Sequence, residues 1–184
     1  MRSGNLKLLA GAALFYTGSA ASAMESMSDE QIIASAEKAA PASVAKNATI
    51  IAMDDKMEIR TVREGTNGFT CMADNPQSPG TDPMCLDKGG MEWAGAWMSK
   101  KEPPKGMVGF GYMLSGGSDA SNTDPFSTEP AQDAKWVDTG PHVMIFNIGE
   151  AAKNYPQQGD NPDTSAPYVM WAGTPYEHVM IPVE

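Results

Sequence analysis

Between Gly106 and Leu114 the chain reads GMVGFGYML, an alternation that describes a β-strand with two unlike faces. Val108, Phe110, Tyr112 and Leu114 give one face bulk, whereas Met107, Gly109, Gly111 and Met113 leave the other almost bare. Glycine inside a strand marks a place where backbone, a ring or a ligand comes close. Whatever covers the bare face must therefore lie on the sheet at short range. The stretch from Asp87 to Lys101 suits that role. Asp87 fits an N-cap, while Met91, Trp93, Ala94, Trp97 and Met98 recur at helical spacing. Lys100 and Lys101 fall where the helix dipole favours cations. Gly89, Gly90 and Gly95 lower the intrinsic helix propensity, so packing on a sheet has to hold the element. Trp93 and Trp97 then have two readings: rings packed against Gly109 and Gly111, or a platform for an aromatic or other small ligand.

The remaining elements are short. Ser28-Asp29-Glu30-Gln31 has the form of a capping box, and Ile32, Ile33, Ala36 and Ala40 continue it as a helical stripe. Pro41 ends or kinks this helix and can open a second one reaching Lys46. Strands are expected at Thr49–Met53, at Met57–Arg63 and at Phe69–Met72. The last two are expected to form a hairpin across the Asn67-Gly68 turn. Two further segments repeat one another, GPHVMIF around His142 and YEHVMIPV around His178, and both read as core strands. Residues 168–171 and 178–181 are expected to pair as a hairpin. Two polar connections, 115–130 and 155–167, are long for a compact domain. The expected fold is α+β: an antiparallel or mixed sheet of five to seven short strands, covered by two or three helices.

Residues 1–23 have the organisation of a secretory signal. Arg2 and Lys7 precede a short apolar run, and Ala21-Ser22-Ala23 offers a small-residue cleavage site. The run is shorter than the roughly 18 residues of a membrane span. A single exported domain over residues 24–184 is expected, periplasmic or secreted, with no stable membrane insertion once the signal is cleaved. The formal charge of −10 at pH 7 opposes binding to nucleic acid or to an anionic bilayer and favours cationic partners. In an exported chain the only two cysteines, Cys71 and Cys85, are expected to form a disulfide. The bridge would close a loop rich in proline and stabilise the fold by roughly 3 kcal/mol.

Three constellations bear on function. If the histidine segments are strands, His142 and Met144 share a face, as do His178 and Met180. Brought together they offer imidazole nitrogen and thioether sulfur, a donor set suited to copper, although both histidines serve equally as structural core residues. Asp119, Asn122 and Asp124 lie in the first long connection, where oxygen donors could hold calcium or simply form turns. A small hydrolase would need a histidine within reach of a serine or carboxylate, and neither a G-x-S-x-G elbow nor an H-E-x-x-H helix is present.

The strings TGPHVMI, PYVMWAGTPYEHVMIPV, GTNGFTCM and GGSDASNTDP resemble those of small uncharacterised exported proteins of bacteria. That resemblance implies export and one compact domain, with no activity, cofactor or catalytic residue attached. The expectation is an exported ligand-binding or structural accessory protein of the bacterial envelope, acting on a small molecule or an envelope protein. Copper binding and hydrolysis are the alternatives.

Overall fold

A computed structural model describes residues 27–54 and 58–183. The signal region and Met57 lie outside the described residues. Two short helices, α1 (Asp29–Ala36) and α2 (Ala42–Ala45), precede strands β1 (Thr49–Met53), β2 (Ile59–Arg63), β3 (Thr70–Met72) and β4 (Met84–Leu86). Helix α3 (Lys88–Met98) follows, then β5 (Gly109–Met113), β6 (Ser118–Asp119), β7 (Val137–Asp138) and β8 (His142–Phe146). A 3₁₀ turn (Gly149–Asn154), β9 (Tyr168–Met170) and β10 (His178–Pro182) complete the chain. The main sheet has eight strands in the order β2-β1-β3-β4-β5-β8-β10-β9, and β6 and β7 form a separate ribbon. Pairing is antiparallel except between β1 and β3, so the fold is α+β with a mixed sheet. Among the described residues no helix is long and apolar enough to cross a membrane.

Local chemistry accounts for the helices. The Ser28 hydroxyl accepts from the Gln31 amide while the Gln31 side chain accepts from the Ser28 amide, completing the capping box. Asp87 caps α3 by accepting from the Gly90 amide at 2.8 Å, and the same oxygen accepts from the Phe110 amide at 2.9 Å. One carboxylate thus starts the helix and ties it to β5. Pro41 opens α2, as its fixed φ allows.

Two expectations about the sheet are corrected. It has eight strands, more than the five to seven expected, because Met84-Cys85-Leu86 forms a three-residue strand in what reads as loop and helix cap. The hairpin between 57–63 and 69–72 does not form. Strand β1 inserts between them, pairing antiparallel with β2 and parallel with β3. Burial explains the choice: Ile50 and Ile51 in β1 are buried, whereas Ile59, Arg60 and Thr61 in β2 face solvent. The more apolar strand takes the inner position and β2 becomes the edge. The other expected hairpin, β9 with β10, is present.

The two faces of the sheet are covered by different elements. Cys71 and Cys85 stand directly opposite one another on β3 and β4 and are joined by the expected disulfide. Both are fully buried with Ile32, Ala36, Ala45 and Ile50 beneath α1 and α2. The opposite face carries Leu86, Gly109, Gly111, Met113, Met144 and Phe146 and lies under α3. A methyl group added at Gly109 would fall 2.3 Å from the Gly90 nitrogen and 2.5 Å from the Gly89 carbonyl carbon. Helix backbone therefore sits on strand backbone at this crossing, where an indole ring was one expectation. At Gly111 an added methyl would meet Leu86 at 2.7 Å and Met144 at 3.0 Å.

Gly95, in the middle of α3, has no neighbour within 4 Å of an added methyl. The two glycines should consequently respond in opposite directions to alanine. Gly95→Ala is expected to stabilise the domain by about 0.5–1 kcal/mol through helix propensity. Gly109→Ala must lift α3 from β5 and is expected to cost about 3 kcal/mol, at the upper end for overpacking. Urea denaturation of the two variants beside the parent protein checks both signs.

Candidate functional site

The register of β5, β8, β10 and β9 places His142, Met144, His178 and Met180 on the sheet face that α3 partly covers. His142 lies opposite Met113 on one side and Pro182 on the other; Met144 lies opposite Gly111 and Met180; Phe146 lies opposite Gly109 and His178. Strand β9 adds Tyr168 opposite Met180 and Met170 opposite His178. His142, Met144, His178 and Met180 thus share one surface. The imidazoles nevertheless occupy opposite ends of it, four residues apart in register, or about 13 Å along the strands. Each is also tethered locally: His142 Nδ1 donates to the Gly140 carbonyl at 2.7 Å and His178 Nδ1 to the Tyr176 carbonyl at 3.0 Å. That separation along the strands disfavours a single centre using both rings.

Because a carbonyl only accepts, each Nδ1 carries the hydrogen and each Nε2 presents a lone pair. Burial lowers the pKa of both rings against the small opposing effect of the carbonyl bond. For His178 it falls to about 4, with repulsion from His142 as a lesser contribution. Both are neutral near pH 7. Their surroundings differ sharply. His178 is enclosed by rings, with Trp171 at 5.0 Å, Trp93 at 5.1 Å and Phe146 at 5.3 Å between centroids. His142 is 1% exposed, and its Nε2 has no hydrogen-bond partner among the described residues. Each ring's hydrogen bond goes to a backbone carbonyl, and among the described residues no serine or carboxylate bonds to either ring.

Trp93 and Trp97 come together, Trp93 buried in the core and Trp97 half-buried at its edge. Trp93 stacks on Trp171 at 6.0 Å and on Trp97 at 6.3 Å, and packs against Phe146 at 4.4 Å. Its faces are filled by protein. Trp97 is half-buried and donates to the Pro125 carbonyl. Trp171, which the sequence did not single out, is held at φ 55, a conformation costly for an aromatic residue. Hydrogen bonds over-determine it: its amide donates to the Asn122 carbonyl and its indole to the Ser121 carbonyl, both within 2.9 Å.

Of the calcium candidates, Asp119 and Asp124 each engage a backbone amide through one oxygen, while Asn122 Oδ1 has no partner among the described residues. Asp119 accepts from the Ser121 amide and Asp124 from the Phe126 amide. Fully buried Asn122 donates to the carbonyls of Gln158 and Gly159. Ser121 and Thr123 both donate to Asp160, pulling its pKa down and stapling the two long polar connections together. Among the described residues no three His, Cys, Asp or Glu side chains gather as a metal site. A metal held here would have to draw on other donors, such as thioether sulfur.

A pocket of about 470 Å³ opens between the 79–81 turn, the start of the first connection at 115–118, and residues 136–141. Its construction follows from the β6–β7 ribbon. Ser118 stands opposite Asp138 and Asp119 opposite Val137. By alternation Ser118, Asp138 and Trp136 turn to the pocket that they line, while Val137 and Asp119 turn inward. Gly117 and Gly140 form the pocket wall and are also the neighbours of His142. A methyl group at Gly117 would lie 2.8 Å from Thr139 Oγ1, 3.0 Å from Met113 Cε and 3.4 Å from His142 Cε1. Three groups from three segments converge on that point. The pattern that could have disclosed the pocket is the alternation Trp136-Val137-Asp138, which is too short to stand out. Comparison with known proteins returns no matching family model, no matching curated protein and no matching solved structure.

Inward placement leaves a mark on Asp119: burial pushes its carboxyl up to about 6, opposed by the Ser121 amide and assisted by the charge of Asp82. Burial, with the charge of Asp119, likewise raises the Tyr168 phenol. The raised acid and the depressed imidazole act oppositely on stability. Between about pH 6 and 4 the folded state binds more protons than the unfolded at Asp119, so acidification stabilises. At His178 it binds fewer between pH 6.5 and about 4, so acidification destabilises. Each effect is on the order of 3 kcal/mol. Asp119→Asn should therefore raise stability at pH 7.5 by about 2 kcal/mol and steepen its loss between pH 6.5 and 4. Urea titrations across that range test this, and a profile parallel to that of the parent protein would refute it.

Proposed function

We propose that this chain is an exported binding protein, periplasmic or secreted, that holds a small molecule in the pocket in front of His142. One observation carries this reading: the short β6–β7 ribbon turns Trp136, Asp138 and Ser118 onto the same open, glycine-walled space. An aromatic face beside a carboxylate and a hydroxyl, with no Lys or Arg in the lining, suits a neutral or cationic ligand. Such a molecule would bring its own N–H or O–H donors and a flat apolar side. The acidic balance of the chain favours the same class. The disulfide and the signal-like N-terminus support export, and the wholly backbone-directed tethers of both imidazoles support binding over catalysis.

The test is a thermal-shift screen of the mature protein with neutral sugars, amino sugars and polyamines. A true ligand at 100 times its dissociation constant should add about 2.7 kcal/mol. Trp136→Ala and Asp138→Asn should remove that gain. Asp138→Asn should leave the unliganded stability within about 0.5 kcal/mol, as for other exposed sites. No shift from any member of the screen, or an equal shift in both variants, would sink the proposal.

A further inference from the structure

We propose that His142, with the thioethers of Met113 and Met144, forms a site for monovalent copper behind the glycine wall of the pocket. The inference is independent of the pocket ligand and uses one imidazole where the sequence suggested two. It starts from an atom without a partner. His142 Nδ1 is occupied by the Gly140 carbonyl, leaving the lone pair on Nε2, and that atom is buried with no donor among the described residues. A buried acceptor without a donor carries a desolvation cost of about 1–3 kcal/mol. Coordination of a metal ion at that lone pair would remove this cost.

The neighbours select the metal. Met113 stands directly opposite His142 across the β5–β8 pairing, where Cβ atoms are about 5 Å apart. Met144 follows His142 by two residues on the same strand and therefore on the same face. The Met113 methyl and the His142 Cε1 already converge beside Gly117, at 3.0 and 3.4 Å from one point. Methionine has three rotatable bonds, so a sulfur can swing toward the imidazole without moving backbone. Thioether sulfur is soft and uncharged: with a neutral imidazole it suits Cu(I) and is a poor donor set for calcium, magnesium or zinc. Both cysteines are tied in the disulfide, so no thiolate competes for the ion. A methionine and histidine set also needs no free thiol, which fits an oxidising compartment. The carbonyl bond at Nδ1 is the outer partner that metal-binding imidazoles ordinarily have, orienting the ring and fixing its tautomer.

His178 is excluded from the set by its own geometry. It lies four residues away in register, and three rings surround it. The two histidines therefore make opposite predictions.

The experiment is an anaerobic titration of the mature, disulfide-intact protein with Cu(I) against a chromogenic Cu(I) chelator, with no other ligand present. One Cu(I) per chain is expected. His142→Phe should weaken binding by well over about 10-fold, the least that even an outer partner of a metal ligand produces. Because that variant changes a core residue, Met113→Leu and Met144→Leu serve as volume-conserving companions, each expected to fold and to lose about 10-fold or more. His178→Gln, provided its circular dichroism matches the parent protein, and Asp138→Asn should keep parental Cu(I) affinity. Copper-edge absorption should show sulfur together with imidazole nitrogen. Substoichiometric Cu(I), parental affinity in the two methionine variants, zinc bound as tightly as Cu(I), or a sulfur-free coordination shell would each overturn the proposal. Retention of Cu(I) binding in Asp138→Asn alongside failure of the sugar and amine screen would leave the copper site standing and reject the pocket reading.

Discussion

Backbone contact between α3 and β5 is the constraint on which the arrangement of the interior depends. Gly89, Gly90 and Gly109 let helix and strand touch without intervening side chains. A helix on a sheet ordinarily stands off by the length of the side chains between them. Removing that layer at one crossing drives the next turns of α3 deep into the face. Trp93 arrives over Phe146 at 4.4 Å and beside His178 at 5.1 Å, stacked against Trp171. Asp87 secures the crossing by accepting one amide from the helix and one from the strand. The aromatic core is thus a consequence of what is missing at positions 89, 90 and 109.

That geometry also divides the face into two chemically different halves. Near Phe146 and His178 it is filled by rings brought in from α3 and from the loop after β9. Toward Met113 and His142 the helix no longer covers it, and cover comes from the polar connection 115–141. Among the described residues two unpartnered buried polar atoms, His142 Nε2 and Thr139 Oγ1, lie in this half, and another, Trp93 Nε1, lies in the aromatic half. Native interiors rarely leave such atoms unpaired, and each one asks for an explanation. Identical HVM triplets therefore end in unlike environments, one aromatic and one polar, because the elements laid over them differ.

Legibility in the sequence followed the range of the interaction. Caps act over three residues, and the Ser28 box, the Asp87 cap and the Pro41 start were readable. Alternation acts over five or so, and β5, β8, β10 and the β9–β10 hairpin were readable too. The disulfide followed from there being only two cysteines. What failed was competition between distant segments. β1 and β3 pair in parallel because the buried isoleucines of β1 displace the polar β2 from the inner position, and no local pattern around Asn67-Gly68 reports that. β4, β6 and β7 have three, two and two residues, too few for a period to be visible. At the site, the face shared by the histidines and methionines was legible, whereas their separation along the strands required the register.

The two polar connections contribute more to the interior than their composition alone shows. Read as turn-rich loops, 115–130 and 155–167 look dispensable to the core, yet Asn122 is fully buried and Ser121 nearly so. Asn122 bonds to the backbone of the second connection, Ser121 and Thr123 bond to Asp160, and Trp171 donates twice into the first. An aromatic residue in a left-handed conformation persists only when its surroundings hold it there. Here the loops supply the acceptors that do so, and Trp171 in turn stacks on Trp93. Loop, aromatic core and α3 thereby form one mechanical unit. Gly117, in the pocket wall, belongs to the first of these connections, and Gly140, which holds His142 by its carbonyl, lies just before β8.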